Sequence, residues 1–239
     1  MLKDSMSRLP KIWSKFTAAN KAGDSLNLRI VDMPEYLAED VLKQYMNYFV
    51  KEESTFKAAG VAKSVEAMEE LRTLTSKSAN DNELNIVICS LDNNDDTIDG
   101  IVGASLMVFE TKEDSTPEFH PKTEEMQKLF EIFNGMASHY DETKELNLDR
   151  SFMDRGLFVH PDYRGYGIAQ ELLKVRRLIC KGHGISTHGA WMTSYGTQKA
   201  AERDGWESVC EIPYDSLAKA HGVAFENGPP SCKFMITRI

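Results

Sequence analysis

A chain of 239 residues with 41% apolar, 27% charged and 9% aromatic side chains is long enough for one sizeable core and has the composition of a globular domain. Its formal net charge of -9 excludes the basic field that general nucleic-acid or anionic-membrane binding needs, and suits a cationic substrate. No stretch approaches the roughly 20 apolar residues of a membrane span, and Cys89, Cys180, Cys210 and Cys232 form no Cys-x-x-Cys pair, so free thiols in a reducing cytoplasm and no metal are expected.

The first 22 residues carry Lys3, Arg8, Lys11, Lys15 and Lys21 without the apolar run of a secretory signal. They read as part of an N-terminal extension, residues 1–27, forming an added helix or frayed arm rather than a mitochondrial leader. Leu28-Arg29-Ile30-Val31 alternates and stops at Pro34, as a first strand does. From Glu35, the spacing of Leu37, Val41, Leu42, Tyr45, Met46 and Phe49 predicts an amphipathic helix ending near residues 51–54. A second helix is expected over 65–74, followed by polar loop to residue 83. The β-rich runs 84–89 and 101–109 read as an antiparallel hairpin.

After a polar loop over 111–122, Met126, Leu129, Phe130, Phe133, Met136 and Tyr140 give a third helix with an apolar stripe. A strand over 152–159, broken at Pro161, leads into a glycine loop and a helix from Ile168 to about residue 181. A short strand at 190–192, a helix at 197–203 and closing strands at 207–212 and 232–239 complete the chain. The order gives an α/β fold, one central mixed sheet with helices on its faces, over residues 28–239.

The chemistry concentrates in Leu157-Phe158-Val159-His160-Pro161-Asp162-Tyr163-Arg164-Gly165-Tyr166-Gly167-Ile168-Ala169. Glycines at 165 and 167 let the backbone turn tightly and expose its N–H groups, and the following helix start adds free donors and the positive end of its dipole. Such a loop suits a pyrophosphate. A dinucleotide fold is disfavoured by the missing third glycine and the late position in the chain, and a P-loop by the absence of Gly-Lys-Ser/Thr.

These thirteen residues resemble the acetyl-coenzyme A motif of the GNAT superfamily, Arg/Gln-x-x-Gly-x-Gly/Ala, with Arg164, Gly167 and Ala169 on the motif positions. Beyond residue 28 the chain also resembles the insect arylalkylamine N-acetyltransferases. The residues that carry this are Val31-Asp32-Met33-Pro34-Glu35, Tyr48-Phe49-Val50-Lys51-Glu52-Glu53, the helical insert before the coenzyme strand, and Gly205-Trp206. The resemblance implies the GNAT acyl-CoA N-acyltransferase fold. It implies acetyl-CoA held by Leu157, Phe158, Val159, Arg164, Gly165, Tyr166, Gly167, Ile168, Ala169 and Ser194, and no metal.

It further implies that the family's general base falls on Glu53, with Glu52 beside it on an aspartate position. The proline and leucine of the family signature are replaced by Ser54 and Thr55. An amine reaches the enzyme as an ammonium and must lose a proton before it attacks, which is the work of such a carboxylate. The plain alternative for Glu52 and Glu53 is a solvated helix end. The family's two hydroxyls fall on Thr193 and Thr197, for which a helix N-cap is the alternative. The tyrosine used by other members as thiolate acid is Ala201 here, with Tyr195 the nearest substitute. His160 and His183 read as ordinary polar residues and Cys180 as core.

The implied activity is acetyl transfer from acetyl-CoA to a small arylalkylamine, by direct attack in a ternary complex and in a monomer. The alternatives are a GNAT enzyme for polyamines, other amines or longer acyl groups, and a non-catalytic acyl-CoA binder on the same fold. The resemblance does not identify the amine. Its pocket is expected from the first helix end and two loops, 54–63 and 213–230.

Overall fold

The computed structural model describes residues 10–80, 84–93, 97–98, 100–112 and 119–239. The first nine residues of the N-terminal extension and parts of the expected connections at 76–83, 92–99 and 111–122 lie outside them.

Among the described residues eight strands form two antiparallel sheets. The larger has the order β1 (Ile12–Ala19), β2 (Ser25–Asp32), β3 (Leu84–Leu91), β4 (Ile101–Thr111) and β5 (Arg150–Val159), each paired antiparallel with its neighbour. The smaller has the order β6 (Thr187–Met192), β8 (Ser231–Arg238), β7 (Glu207–Pro213). The single mixed sheet expected from the sequence is therefore two sheets. They touch where β5 meets β6, with no ladder described between those strands.

Residues 12–19, expected as helix or frayed arm, instead pair with β2 and edge the main sheet. Trp13 and Phe16 pack against the layer beneath, and the Trp13 indole N–H donates to Asp32 at 2.5 Å. Basic residues at positions 11 and 15 obscure this strand in the sequence, because edge strands tolerate lysine on their outer side.

One face of the main sheet is covered by α6 (Ile168–Gly182), whose buried Ile168, Leu172, Val175 and Ile179 meet Leu28, Ile30, Val87, Cys89 and Phe152. Against the other face pack α1 (Ala38–Gln44), a π-helical turn (Tyr45–Val50), α2 (Ser54–Ala59), α3 (Val65–Asn80) and α4 (Glu124–His139). Between α4 and β5 lies the short α5 (Glu142–Glu145). Helix α7 (Tyr195–Arg203) packs beside α6, and α8 (Tyr214–His221) beside α4. The second helix runs six residues beyond the expected 74, and the loops expected at 54–63 and 213–230 each hold a short helix. Six to eight residues carry too little periodicity to announce a helix.

Strand β5 is kinked by a bulge. Leu106 pairs with Gly156 and Met107 with Asp154, which leaves Arg155 unpaired. Gly156 adopts φ of 127°, and a Cβ there would meet Phe49 Cζ at 2.9 Å and Tyr45 Cε2 at 3.0 Å. The extra residue of the π-helical turn brings Tyr45 and Phe49 into a stack 4.8 Å apart directly over this glycine. The Tyr45 hydroxyl donates to the Arg155 carbonyl at 3.0 Å. From the opposite face the guanidinium of Arg176, buried in α6, reaches the Ser105 hydroxyl (2.7 Å), the Asp154 carboxylate (2.7 Å) and the Gly156 carbonyl (3.1 Å).

His188 on β6 is buried edge-on to Trp206, with ring centroids 5.4 Å apart, and neither ring nitrogen has a hydrogen-bond partner among the described residues. Burial, helped by the Arg176 charge, pushes its pKa down to about 3, while the Asp154 carboxylate opposes the shift. The native state thus holds this ring neutral, while the unfolded chain protonates it below its ordinary value near 6.5. Stability from this residue is flat above that pH and falls as pH drops toward 3. Relative to His188→Phe, the wild type should lose roughly 1.5 kcal/mol more between pH 6.5 and 5. Urea unfolding at both pH values measures this, and equal losses in the two proteins would contradict it.

Candidate active site

At the end of β5 the chain turns through Pro161–Tyr163 and reaches Gly165 (φ 89°) and Gly167 (φ 78°), both in the left-handed region. Gly167 is the N-cap of α6 and supplies no side-chain acceptor, so the first-turn N–H groups of that helix have no side-chain cap. A Cβ built on either glycine would meet no atom within 4 Å. The cradle is open on its outer side and lined by backbone donors at a helix N-terminus, which is the arrangement a phosphate requires. Ile168 anchors the helix start in the core, and Ala169 packs toward the α6–α7 contact. The Tyr166 hydroxyl accepts from Asn20 at 3.0 Å, which ties the loop to the turn after β1.

Leu157 and Val159 pack toward the α6 side, whereas Phe158 points into the opposite core. Through this stretch β5 pairs with β4 on one side only, and its other edge faces β6 across the junction of the sheets. Unpaired strand edges can accept an extended, amide-bearing ligand as if it were a strand.

Arg164 does not stand free over the cradle. Its Nη2 lies 2.6 Å from Glu52 Oε2 and its Nε donates to the Val159 carbonyl at 3.2 Å. Both side chains of the ion pair are about half exposed, so the pair is worth only a fraction of a kcal/mol, and an incoming anion can compete for the guanidinium. Tyr48 adds a second link between the π-helical turn and this loop, edge-on to His160 at 4.6 Å.

Glu52 and Glu53 face different ways. Glu53 is the N-cap of α2, and its Oε2 accepts from the backbone N–H groups of Thr55 (2.8 Å) and Phe56 (3.0 Å) and from the Thr55 hydroxyl. Its Oε1 takes none of these bonds. Glu53 is therefore not a solvated helix end but the start of a helix absent from the sequence reading. The backbone it caps belongs to Phe56, whose ring lies in the core on the side of the sheets opposite α6.

The two hydroxyl positions behave differently as well. Ser194 caps α7 and forms a capping box with Thr197: its Oγ accepts from the Thr197 N–H at 3.2 Å, and Thr197 Oγ1 accepts from the Ser194 N–H at 3.3 Å. Thr193 is half-buried at the end of β6, and its carbonyl accepts from Ser54 Oγ at 3.0 Å. The structure thus brings Glu53 and Thr193 to one place through Ser54, with the capping box one residue further on. Tyr195 is 54% exposed on α7, whereas Ala201 is buried in the core beside Trp206.

The sequence reading did not single out Tyr214. It is buried, its hydroxyl donates to the same Thr193 carbonyl at 2.6 Å, and its ring stacks on Phe225 at 4.3 Å. Burial lifts its pKa well above the ordinary range, so the hydroxyl stays a donor. Three of the four cysteines are buried, all four are free, and burial pushes the Cys180 thiol up to about 12. Among the described residues no group of His, Cys, Asp or Glu could hold a metal ion, and no helix is long and apolar enough to cross a membrane.

No protein-family model matches the sequence, and no curated protein does so. Solved structures do match. A yellow fever mosquito protein assigned as arylalkylamine N-acetyltransferase 7 is 25% identical, with a TM-score of 0.84 over 97% of this chain and 96% of that one. Arylalkylamine N-acetyltransferase 2 from Aedes aegypti is 18% identical, with a TM-score of 0.73 over 89% of this chain and 99% of its own. A Drosophila melanogaster polyamine N-acetyltransferase is 11% identical, with a TM-score of 0.67 over 89% and 100%. The chain has the GNAT fold, in the form found in the insect arylalkylamine N-acetyltransferases.

Proposed function

We propose that this chain is an acetyl-CoA-dependent N-acetyltransferase that acts on a small primary arylalkylamine by direct transfer in a ternary complex. The observation that carries the reading is the meeting of Glu53 with the end of β6, held by the 3.0 Å bond from Ser54 to the Thr193 carbonyl. That meeting lies on the opposite side of the sheet junction from α6, whose N-terminus forms the phosphate cradle. A cosubstrate seated in the cradle and laid along the free edge of β5 points its far end at this junction.

Acetyl-CoA supplies the activated acyl group. The backbone N–H groups of residues 165–169, with Arg164 released from Glu52, hold its phosphates, and the edge formed by Leu157, Phe158 and Val159 aligns its amide-bearing arm. Glu53, through Oε1, takes a proton from the bound ammonium directly or through one water, so that the neutral amine attacks the thioester carbonyl. The nitrogen of the tetrahedral adduct still carries one proton too many, and a hydroxyl at the end of β6, where Thr193, Ser194 and Thr197 lie, relays that proton to the departing thiolate while regaining its own, so that a neutral amide and the coenzyme A thiol leave. The aromatic side chains on this side, Tyr45, Phe49, Phe56, Tyr214 and Phe225, favour an aryl group on the amine. The free cysteines accord with a cytoplasmic setting.

Gly167→Val tests the cradle. Loss of two or three charge-assisted hydrogen bonds at roughly 1.5–3 kcal/mol each should weaken acetyl-CoA binding about a hundredfold or more. Calorimetry on a variant that keeps its wild-type circular dichroism reads this, and an unchanged affinity would refute the cradle.

Glu53→Gln tests the base. Turnover at neutral pH should fall by about 10²–10⁴ while acetyl-CoA affinity is nearly unchanged. The defect should shrink as pH rises toward the pKa of the amine, which then deprotonates without help. Glu52→Gln should do much less. Wild-type turnover by Glu53→Gln across pH 6–9 would assign the base to another residue.

A further inference from the structure

The Thr193 carbonyl is the acceptor on which two elements converge. Ser54 Oγ reaches it from the start of α2 at 3.0 Å, and the Tyr214 hydroxyl from the start of α8 at 2.6 Å. Immediately before it, Gln198 Nε2 donates to the Met192 carbonyl at 3.0 Å and to the Ser231 carbonyl at 2.8 Å, which fixes the end of β6 against β8. The donors on Thr193 are of two kinds. Ser54 belongs to the helix that Glu53 caps, so its bond fixes the distance between Glu53 and β6. Tyr214 is a rigid ring, 4% exposed, sandwiched against Phe225, with its backbone N–H bonded to the Pro230 carbonyl. The loop after α8 closes over both: a Cβ on Gly228 would lie 3.5 Å from Ser54 Oγ and 3.9 Å from Tyr214 Cε2.

We infer that Tyr214 is a positioning residue for the transfer: by holding the Thr193 carbonyl, on which Ser54 also rests, it sets the place of Glu53 relative to the reacting end of β6. The inference rests on the reading of Glu53 as the base. The hydroxyl is not itself the acid or base, because its proton is committed to Thr193 and burial keeps it there. Removing it leaves the carbonyl with Ser54 alone, and the end of β6, no longer braced from α8, can shift about that single bond by the few tenths of an ångström to which general-base catalysis is sensitive.

The test is a double-mutant cycle on the full chain, with kcat, the amine KM and the acetyl-CoA Kd measured for wild type, Tyr214→Phe, Glu53→Gln and the double variant. Tyr214→Phe keeps the ring and its stack and removes one donor, and Ser54→Ala removes the other donor as an independent second variant. Tyr214→Phe should lower kcat roughly tenfold with the acetyl-CoA Kd unchanged, since a misplaced group costs rate and not coenzyme binding. In the Glu53→Gln background the same substitution should cost less than twofold, because residues that act as a unit are not additive. Wild-type kcat in both Tyr214→Phe and Ser54→Ala would overturn the inference, as would a tenfold loss of equal size with and without Glu53. If Glu53→Gln itself turns over at the wild-type rate, the base reading fails and this inference fails with it.

Discussion

Everything at the candidate site depends on the clamp that holds the bulge in β5. One unpaired residue, Arg155, bends the strand, and Gly156 takes a backbone conformation that side chains rarely adopt. Such a kink persists only where its surroundings over-determine it. Here they do so from both faces: Tyr45 and Phe49 fill the space a Cβ would need, and the buried Arg176 binds Asp154 and the Gly156 carbonyl from the other side. Breaking a buried charged pair by removing one partner costs about 3–5 kcal/mol, so the clamp is expensive to lose. Beside this kinked strand lies β6, and the two strand edges face each other with no ladder described between them.

The opening between the edges has two chemically different sides, and the sequence supplies each locally. On the α6 side lies an uncapped helix N-terminus behind two glycines with positive φ, which favours phosphate. On the other side lie a carboxylate, several aromatic rings and the carbonyl-bound end of β6, which favour an ammonium carried on an apolar body. The two sides communicate through the π-helical turn, since Glu52 pairs with Arg164 at the cradle while Glu53 caps α2 above the junction. A single peptide bond therefore separates a residue paired at the glycine loop from one that caps α2.

The legibility of these features in the sequence follows the range of the interactions behind them. The strand, proline break, glycines and helix of residues 157–181 are a local pattern in which every feature acts on its neighbours, and the structure has them at the expected positions. The stripe from Leu37 to Phe49 also reads correctly as helix, but its final turn winds as a π-helix that lays Tyr45 and Phe49 over Gly156, more than a hundred residues away, and nothing local announces it. Helices α2 and α8 are too short for periodicity. The cap that starts α2 is a glutamate rather than the usual serine, threonine, aspartate or asparagine, so the boundary carried no familiar mark. Tyr214 is invisible for the same reason as the π-turn: its partner is 21 residues distant, on a strand that is not its neighbour in the sheet. The resemblance located Glu53 and Thr193 in the sequence, and the fold explains why they can meet.

If the two sides of the junction serve one acetyl transfer, acetyl-CoA is consumed only when a suitable amine is present. Release of free coenzyme A thiol from acetyl-CoA, followed on adding a panel of phenylalkyl- and indolylalkylamines, diamines and amino acids to the purified chain, measures this most directly. Thiol release should depend on the amine, be fastest with the arylalkylamines, and be matched by an equimolar yield of N-acetylated amine. Tight binding of acetyl-CoA with no amine-dependent thiol release across the panel would contradict it and leave the fold as a coenzyme-binding scaffold.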